Sequence, residues 1–75
     1  MREQMERLIR EMVDRGILFE DALRAFEKGF VAEVLSRSQG GLTGAARTLG
    51  VHRNTLSRKV AEYRLRRPGA RGPAA

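Results

Sequence analysis

The stretch Ala45-Ala46-Arg47-Thr48-Leu49-Gly50-Val51-His52-Arg53-Asn54-Thr55-Leu56-Ser57-Arg58-Lys59-Val60 reads as two short helices joined at Gly50. A glycine there can take the positive φ that ends the first helix and turns the chain. Ala46 is small where two helices must approach closely, and Leu49, Val51, Leu56 and Val60 supply the apolar face that clamps them at a steep angle. The second helix then presents Arg53, Asn54, Thr55, Ser57, Arg58 and Lys59 on its other side. A small residue, a leucine, a glycine, an aliphatic residue and a further leucine in this order form the packing pattern of a helix-turn-helix. An ordinary αα-hairpin with a solvated basic face is the plainer alternative. The crowding of basic side chains onto the second helix argues against it.

The rest of the chain gives this unit little help in folding alone. Seventy-five residues allow one small domain with a thin core. No cysteine is present to staple that core, and one histidine without cysteines excludes a Cys/His metal cluster, so no metal and no cofactor are expected. Oligomerisation is the remaining common way to stabilise so short a chain, which makes a homodimer the expectation before other motifs are read. No apolar run approaches bilayer length, and the charged start Met1-Arg2-Glu3-Gln4 is not a secretory signal. A cytoplasmic protein without a membrane partner is expected.

Charge is divided unevenly along the chain. Residues 1–36 hold six Lys/Arg against eight Asp/Glu, whereas residues 37–75 hold nine Lys/Arg and a single acid, Glu62. An acidic half joined to a strongly basic half is the footprint of a module with one polyanion-facing end.

In chain order, Met5, Leu8, Ile9, Met12 and Val13 recur at helical spacing and predict a first helix over about Arg2–Asp14, stopped by Gly16. Glu3 with Arg7, Glu6 with Arg10 and Glu11 with Arg15 are i,i+4 pairs in the favourable order. A second helix is expected from about Phe19 or Glu20 to Arg37, with Glu20 and Asp21 in its first turn, where the helix dipole favours negative charge. Leu23, Phe26, Phe30, Val34 and Leu35 mark one face of it, and Ala22, Ala25, Val31 and Ala32 widen the apolar area. So much apolar circumference requires more than one neighbour. Gly29 in its middle marks a bend or a close helix crossing, with a cost of about 1 kcal/mol relative to alanine. Ser38-Gln39-Gly40-Gly41 is a helix stop and turn. Leu42-Thr43 opens a third helix ending near Leu49, with Thr43 or a neighbouring backbone group capping it or meeting a phosphate. A fourth helix runs from about His52 or Arg53 to about Arg64. The final residues are rich in Gly, Pro, Ala and Arg and read as a disordered basic tail. The expected organisation is therefore 1–39 for dimerisation, 40–65 for the helix-turn-helix and 66–75 for the tail. No strand or internal repeat is expected.

The chain resembles the Fis family, and the Fis-type helix-turn-helix that also ends NtrC-class bacterial activators. Phe26-Glu27, Gly40-Gly41-Leu42-Thr43-Gly44-Ala45-Ala46, Leu49-Gly50-Val51-His52-Arg53-Asn54-Thr55-Leu56, Lys59-Val60 and Tyr63 carry the resemblance, over about residues 18–65. It implies an all-α fold of four helices. The first two helices of two chains interlock into a dimer core, for which Met5, Leu8, Met12, Leu23, Phe26 and Phe30 are the candidate residues. Each hairpin would then be mounted on that core as a DNA-binding unit. In Fis the two recognition helices sit closer together than one turn of straight DNA, so the resemblance implies DNA bending. It also implies that Arg53 reads a base in the major groove, that Thr55, Arg58 and Lys59 meet or neutralise the backbone, and that Thr43 meets a phosphate. His52 stands where Asn or Ser is usual, which weakens the expected cap, and Asn54 and Ser57 complete the candidate DNA-binding set. Gly41, Gly44 and Ser57 replace residues that are polar or basic in Fis, which removes some phosphate contacts; the tail arginines are candidates to replace them. Gly29 falls where Fis kinks the second helix with a proline. The resemblance includes no counterpart of the β-hairpin arms by which Fis stimulates a recombinase, so that activity is not expected.

The leading expectation is a homodimeric, sequence-tolerant protein that binds double-stranded DNA, bends it and serves as a nucleoid-associated or transcriptional regulator. The close alternative is the DNA-binding domain of a larger NtrC-class activator; Met1 and the disordered end favour a small complete protein. A helical protein-interaction module without DNA binding is the alternative of another class. RNA binding has little aromatic surface to work with, since Tyr63 is the only aromatic residue in the basic half. The sequence does not say whether a polymerase or recombinase is a partner. Enzymatic activity is the poorest reading, because His52 and Ser57 do not share a helix face and no acid stands near them in sequence.

Overall fold

Helix-forming periodicity and the glycines that interrupt it set the architecture. The computed structural model describes residues 1–39 and 41–65. Its helices are α1 (Arg2–Asp14), α2 (Phe19–Arg37), α3 (Leu42–Leu49) and α4 (Arg53–Tyr63), with no strand among the described residues. The fold is all-α, as the sequence implies. The tail expected at 66–75 lies outside the described residues, as does Gly40.

Three of the helices stop in the same way. Behind α1 the Gly16 N–H donates to the Val13 carbonyl and the Ile17 N–H to the Met12 carbonyl, with Gly16 at φ 74°. Behind α3 the same pair runs from Gly50 to Arg47 and from Val51 to Ala46, with Gly50 also at φ 74°. These are Schellman closures, which satisfy carbonyls that a helix end leaves open. Behind α4 the bonds run from Arg64 to Ala61 and from Leu65 to Val60, but the left-handed position is filled by Arg64 (φ 54°, ψ 45°). It is the one positive-φ non-glycine residue described, and its Cβ makes that conformation costly.

The core is small and lies at one end of the molecule. Val31 and Leu35 of α2, Leu42, Ala45 and Ala46 of α3, and Leu56 and Val60 of α4 form a single buried cluster, with Val34, Leu49 and Leu65 packed against it. Ala45 and Leu56 are fully buried. The cluster crosses the boundary expected at residue 39, because Val31 and Leu35 in the last turns of α2 belong to the hairpin's core. Val51, expected in the clamp between α3 and α4, is instead 37% exposed. As the first residue past the Gly50 turn, it lines an open groove with Phe26, Phe30 and Leu49.

Nothing comparable covers α1. None of its residues is buried. Its stripe faces the start of α2 across an open groove of about 510 Å³, lined by Met5, Leu8, Met12, Phe19, Leu23 and Phe26 among others. The radius of gyration is 14.4 Å, against about 11 Å for a closed domain of this length. The chain is splayed, with an apolar inner face.

Two details of the helices differ from the expected pattern. Of the three pairs expected on α1, Arg15–Glu11 forms at 3.3 Å, while Glu6 turns back to Arg2 at 3.5 Å. All four groups are exposed, where such pairs contribute little and exchange freely. At Gly29 α2 continues as one helix, and a Cβ placed there would meet nothing within 4 Å. Within one chain Gly29 therefore marks no close crossing.

Candidate nucleic-acid interface

The fourth helix has two sides of opposite chemistry. Leu56 and Val60 enter the core, while Arg53, Asn54, Ser57, Arg58 and Ala61 form an exposed ridge on the opposite side. Positions i, i+1, i+4, i+5 and i+8 fall on one face of an α-helix. Among the described residues neither Arg53 nor Arg58 pairs with a carboxylate. Thr55 lies half-buried at the ridge's margin. The ridge thus offers guanidinium and amide donors with no internal partner, a set suited to phosphate oxygens and to guanine O6 and N7.

His52 starts this helix with a side-chain cap bond. In an extended N-cap conformation (φ −71°, ψ 147°), its Nδ1 accepts a hydrogen bond from the Asn54 backbone N–H at 3.0 Å. Nδ1 stands as many bonds from Cα as the side-chain oxygen of asparagine, so imidazole can take asparagine's place. Because Nδ1 accepts, the imidazole proton sits on Nε2, which leaves a donor on this exposed residue at the tip of the ridge.

Thr43 does not cap α3. The cap is Gly41, at φ 94° and ψ −154°, with no side-chain cap bond. Only glycine adopts that backbone readily, which gives Gly41 a structural reason independent of phosphate binding. Ser38 steadies the turn by donating from Oγ to the Gly41 carbonyl at 3.1 Å. A Cβ on Gly44 would come within 3.2 Å of the same Oγ. The first intrahelical donor is the Ala45 N–H, to Gly41, so the N–H groups of Leu42, Thr43 and Gly44 precede the helix ladder. With the exposed Thr43 hydroxyl beside them they form an end suited to a phosphate.

Lys59 and Tyr63 face α2. The Lys59 ammonium donates to Glu27 Oε1 at 3.0 Å, and the Tyr63 hydroxyl donates to the same oxygen. Arg24, one turn before Glu27 on α2, reaches Glu62 on α4 at 3.6 Å. The hydrogen bond from Tyr63, then that from Lys59, holds the Glu27 carboxyl below the usual carboxylate range. Reciprocally, the Glu27 carboxylate pushes the Tyr63 hydroxyl up to about 12. Lys59, expected among the DNA contacts, thus turns to a carboxylate within the chain, and Glu27 has a role that the sequence does not imply. The partners are 32 and 36 residues apart, beyond any local spacing signal.

Of the candidate dimerisation residues, Met5, Leu8, Leu23, Phe26 and Phe30 are exposed by 39–52% and Met12 is half-buried. None of the six enters the core. Phe26 and Phe30 tilt against each other, with ring centroids 5.6 Å apart.

A helix-turn-helix carrying an open basic ridge is set here on helices with an apolar inner face. The profile described as "Bacterial regulatory protein, Fis family" matches residues 22–63. The chain belongs to the Fis family. A putative Fis-like DNA-binding protein of Xylella fastidiosa (strain Temecula1) is 34% identical over 71 residues, covering 87% of this chain and 79% of that protein. A second protein of the same description, from strain 9a5c, is 32% identical over the same shares. No solved structure matches the chain. The matched span takes in α3, α4 and most of α2, and stops short of α1. Among the described residues there is no group of three metal-ligating side chains, and no helix is long and apolar enough to cross a membrane.

Proposed function

We propose that this Fis-family protein is a homodimer that binds double-stranded DNA with limited sequence preference and bends it, acting in transcription regulation or nucleoid organisation. One observation carries the reading: α4 holds its core and its α2 contacts on one side and leaves Arg53, Asn54, Ser57 and Arg58 exposed together on the other. A helix shaped in this way enters a major groove, with Arg53 near its start as the base reader. Arg58, Thr55 and the α3 end at Thr43 address the flanking phosphates, and His52 Nε2–H offers one more donor at the groove edge. Most of the affinity would come from phosphate neutralisation. The preference would come from a few base contacts and from the deformability of the DNA between them. The two relatives' description as Fis-like DNA-binding proteins supports this reading. The open apolar face of α1 and α2 supports the homodimer, because a second copy offers the same groove and ridge in return. The arrangement is that of a binding module, and no catalytic role is proposed.

The test is binding to a labelled duplex of about 30 base pairs across a salt series, which should give a steep log–log slope. Arg53→Ala should cost about 1–3 kcal/mol of specific binding and relax the preference at one base pair. Unchanged affinity and preference would remove Arg53 as the base reader. A flat salt response would remove the DNA-binding function itself.

A further inference from the structure

The contacts on the core side of α4 do more than complete the hairpin. Glu27 Oε1 takes donors from two successive turns of α4, Lys59 and Tyr63, while Arg24 on α2 reaches Glu62 between them. The two crossings have opposite polarity: an acid on α2 meets a base on α4, and a base on α2 meets an acid on α4. Sliding α4 by one turn would bring Arg24 toward Lys59, or Glu27 toward Glu62, and like charges would meet. This fixes register in a way that the apolar contacts of Leu56 and Val60 cannot, because apolar packing is non-directional. Glu27 also lies, on the helical projection, between the face of α2 that carries Leu23, Phe26 and Phe30 and the face that enters the core through Val31 and Leu35.

We propose that Glu27, Lys59 and Tyr63 form a positioning clamp that sets the angle of α4 on α2, with Lys59 serving as a structural cation and not as a phosphate contact. This rests on the reading of α4 as the DNA-recognition helix. The ammonium of Lys59 is already neutralised within the chain, and its side chain is only 30% exposed. In a dimer joined through α2, the clamp transmits the geometry of that junction to both recognition helices. It therefore governs their spacing and the bend they impose. Arg58, the next residue on the exposed ridge, carries the free charge.

Two measurements test the clamp. Tyr63 is the only tyrosine and there is no tryptophan, so the tyrosinate absorbance of the full chain reports this hydroxyl alone. Its surroundings are Glu27 and Arg24 on α2 with Lys59 and Glu62 on α4. Its midpoint should lie near 12 and should fall toward 10.0 in Glu27→Gln, a change of charge at constant shape. A wild-type midpoint already near 10.0 and unmoved by Glu27→Gln would overturn the clamp. In the second measurement, the salt slope of duplex binding should drop by about 0.9 per subunit in Arg58→Met, the expected value for one lost phosphate contact. In Lys59→Met the slope should stay at the wild-type value while affinity falls several-fold and the bend angle, read by end-to-end energy transfer, changes. A Lys59→Met slope reduced as much as that of Arg58→Met would make Lys59 a phosphate contact and overturn the assignment. Wild-type protein without salt-dependent binding would instead defeat the DNA-binding reading, and the tyrosine titration, which uses no DNA, separates the two failures.

Discussion

Two regions of this chain carry helices with apolar stripes, and the chain buries only one of them. The hairpin of α3 and α4 closes over Val31 and Leu35 and leaves Leu56 and Ala45 without exposure. The stripe of α1, denser in large side chains, is left facing a groove with Leu8 and Ile9 each 49% exposed. Burying one such side chain is worth about 1.5–3 kcal/mol, so the open face forgoes several such terms in a single chain. Fold stability near the DNA-facing end is thus local, whereas at the other end it depends on what fills the groove. The difference separates a unit that closes within one chain from a unit whose apolar face stays open.

The largest expected effect falls on the open region. Phe30→Glu places a charge on the face proposed to meet a second copy, outside the hairpin core. Sedimentation should show the dimer lost, and duplex binding should fall by at least about a hundredfold, since two linked half-sites become one. A dimeric Phe30→Glu protein would move the interface elsewhere.

A pair of truncations sharpens the contrast. Leu56→Ala removes a fully buried side chain of the hairpin core and should cost about 2–5 kcal/mol whatever the protein concentration. Leu8→Ala should act through association, so thermal unfolding followed by circular dichroism should show a loss that grows on dilution. Equal concentration dependence in both variants would erase the distinction between the regions.

The smallest effect concerns the hairpin alone. Arg64 occupies the left-handed position that glycine fills behind α1 and α3. Arg64→Gly should stabilise by up to about 1 kcal/mol with oligomeric state unchanged. A loss of stability would show that the arginine side chain contributes more than its backbone costs.

Much of this was legible in the sequence because it is local. Glycines at 16 and 50, and the spacing of Leu8, Met12, Leu56 and Val60, fix helix ends and faces within a few residues of themselves. The hairpin and its exposed arginines follow from the same short-range rules. Val31 was harder to place. Reading α2 as one widened stripe merges two faces about 140° apart on the helix, one holding Phe26 and Phe30 and the other Val31 and Leu35. The Glu27 clamp was not legible at all, because its partners meet only after the hairpin has folded back onto α2. At His52 the residue type alone does not show the cap bond, in which Nδ1 reaches the Asn54 N–H as an asparagine oxygen would.

On the proposed function, a second copy completes the apolar face of α1 and α2. Molar mass by light scattering in moderate salt, without DNA, tests it most directly. The expected mass is twice the 8.4 kDa of one chain, falling to that of one chain in Phe30→Glu. A wild-type protein of 8.4 kDa with all four helices intact would contradict it.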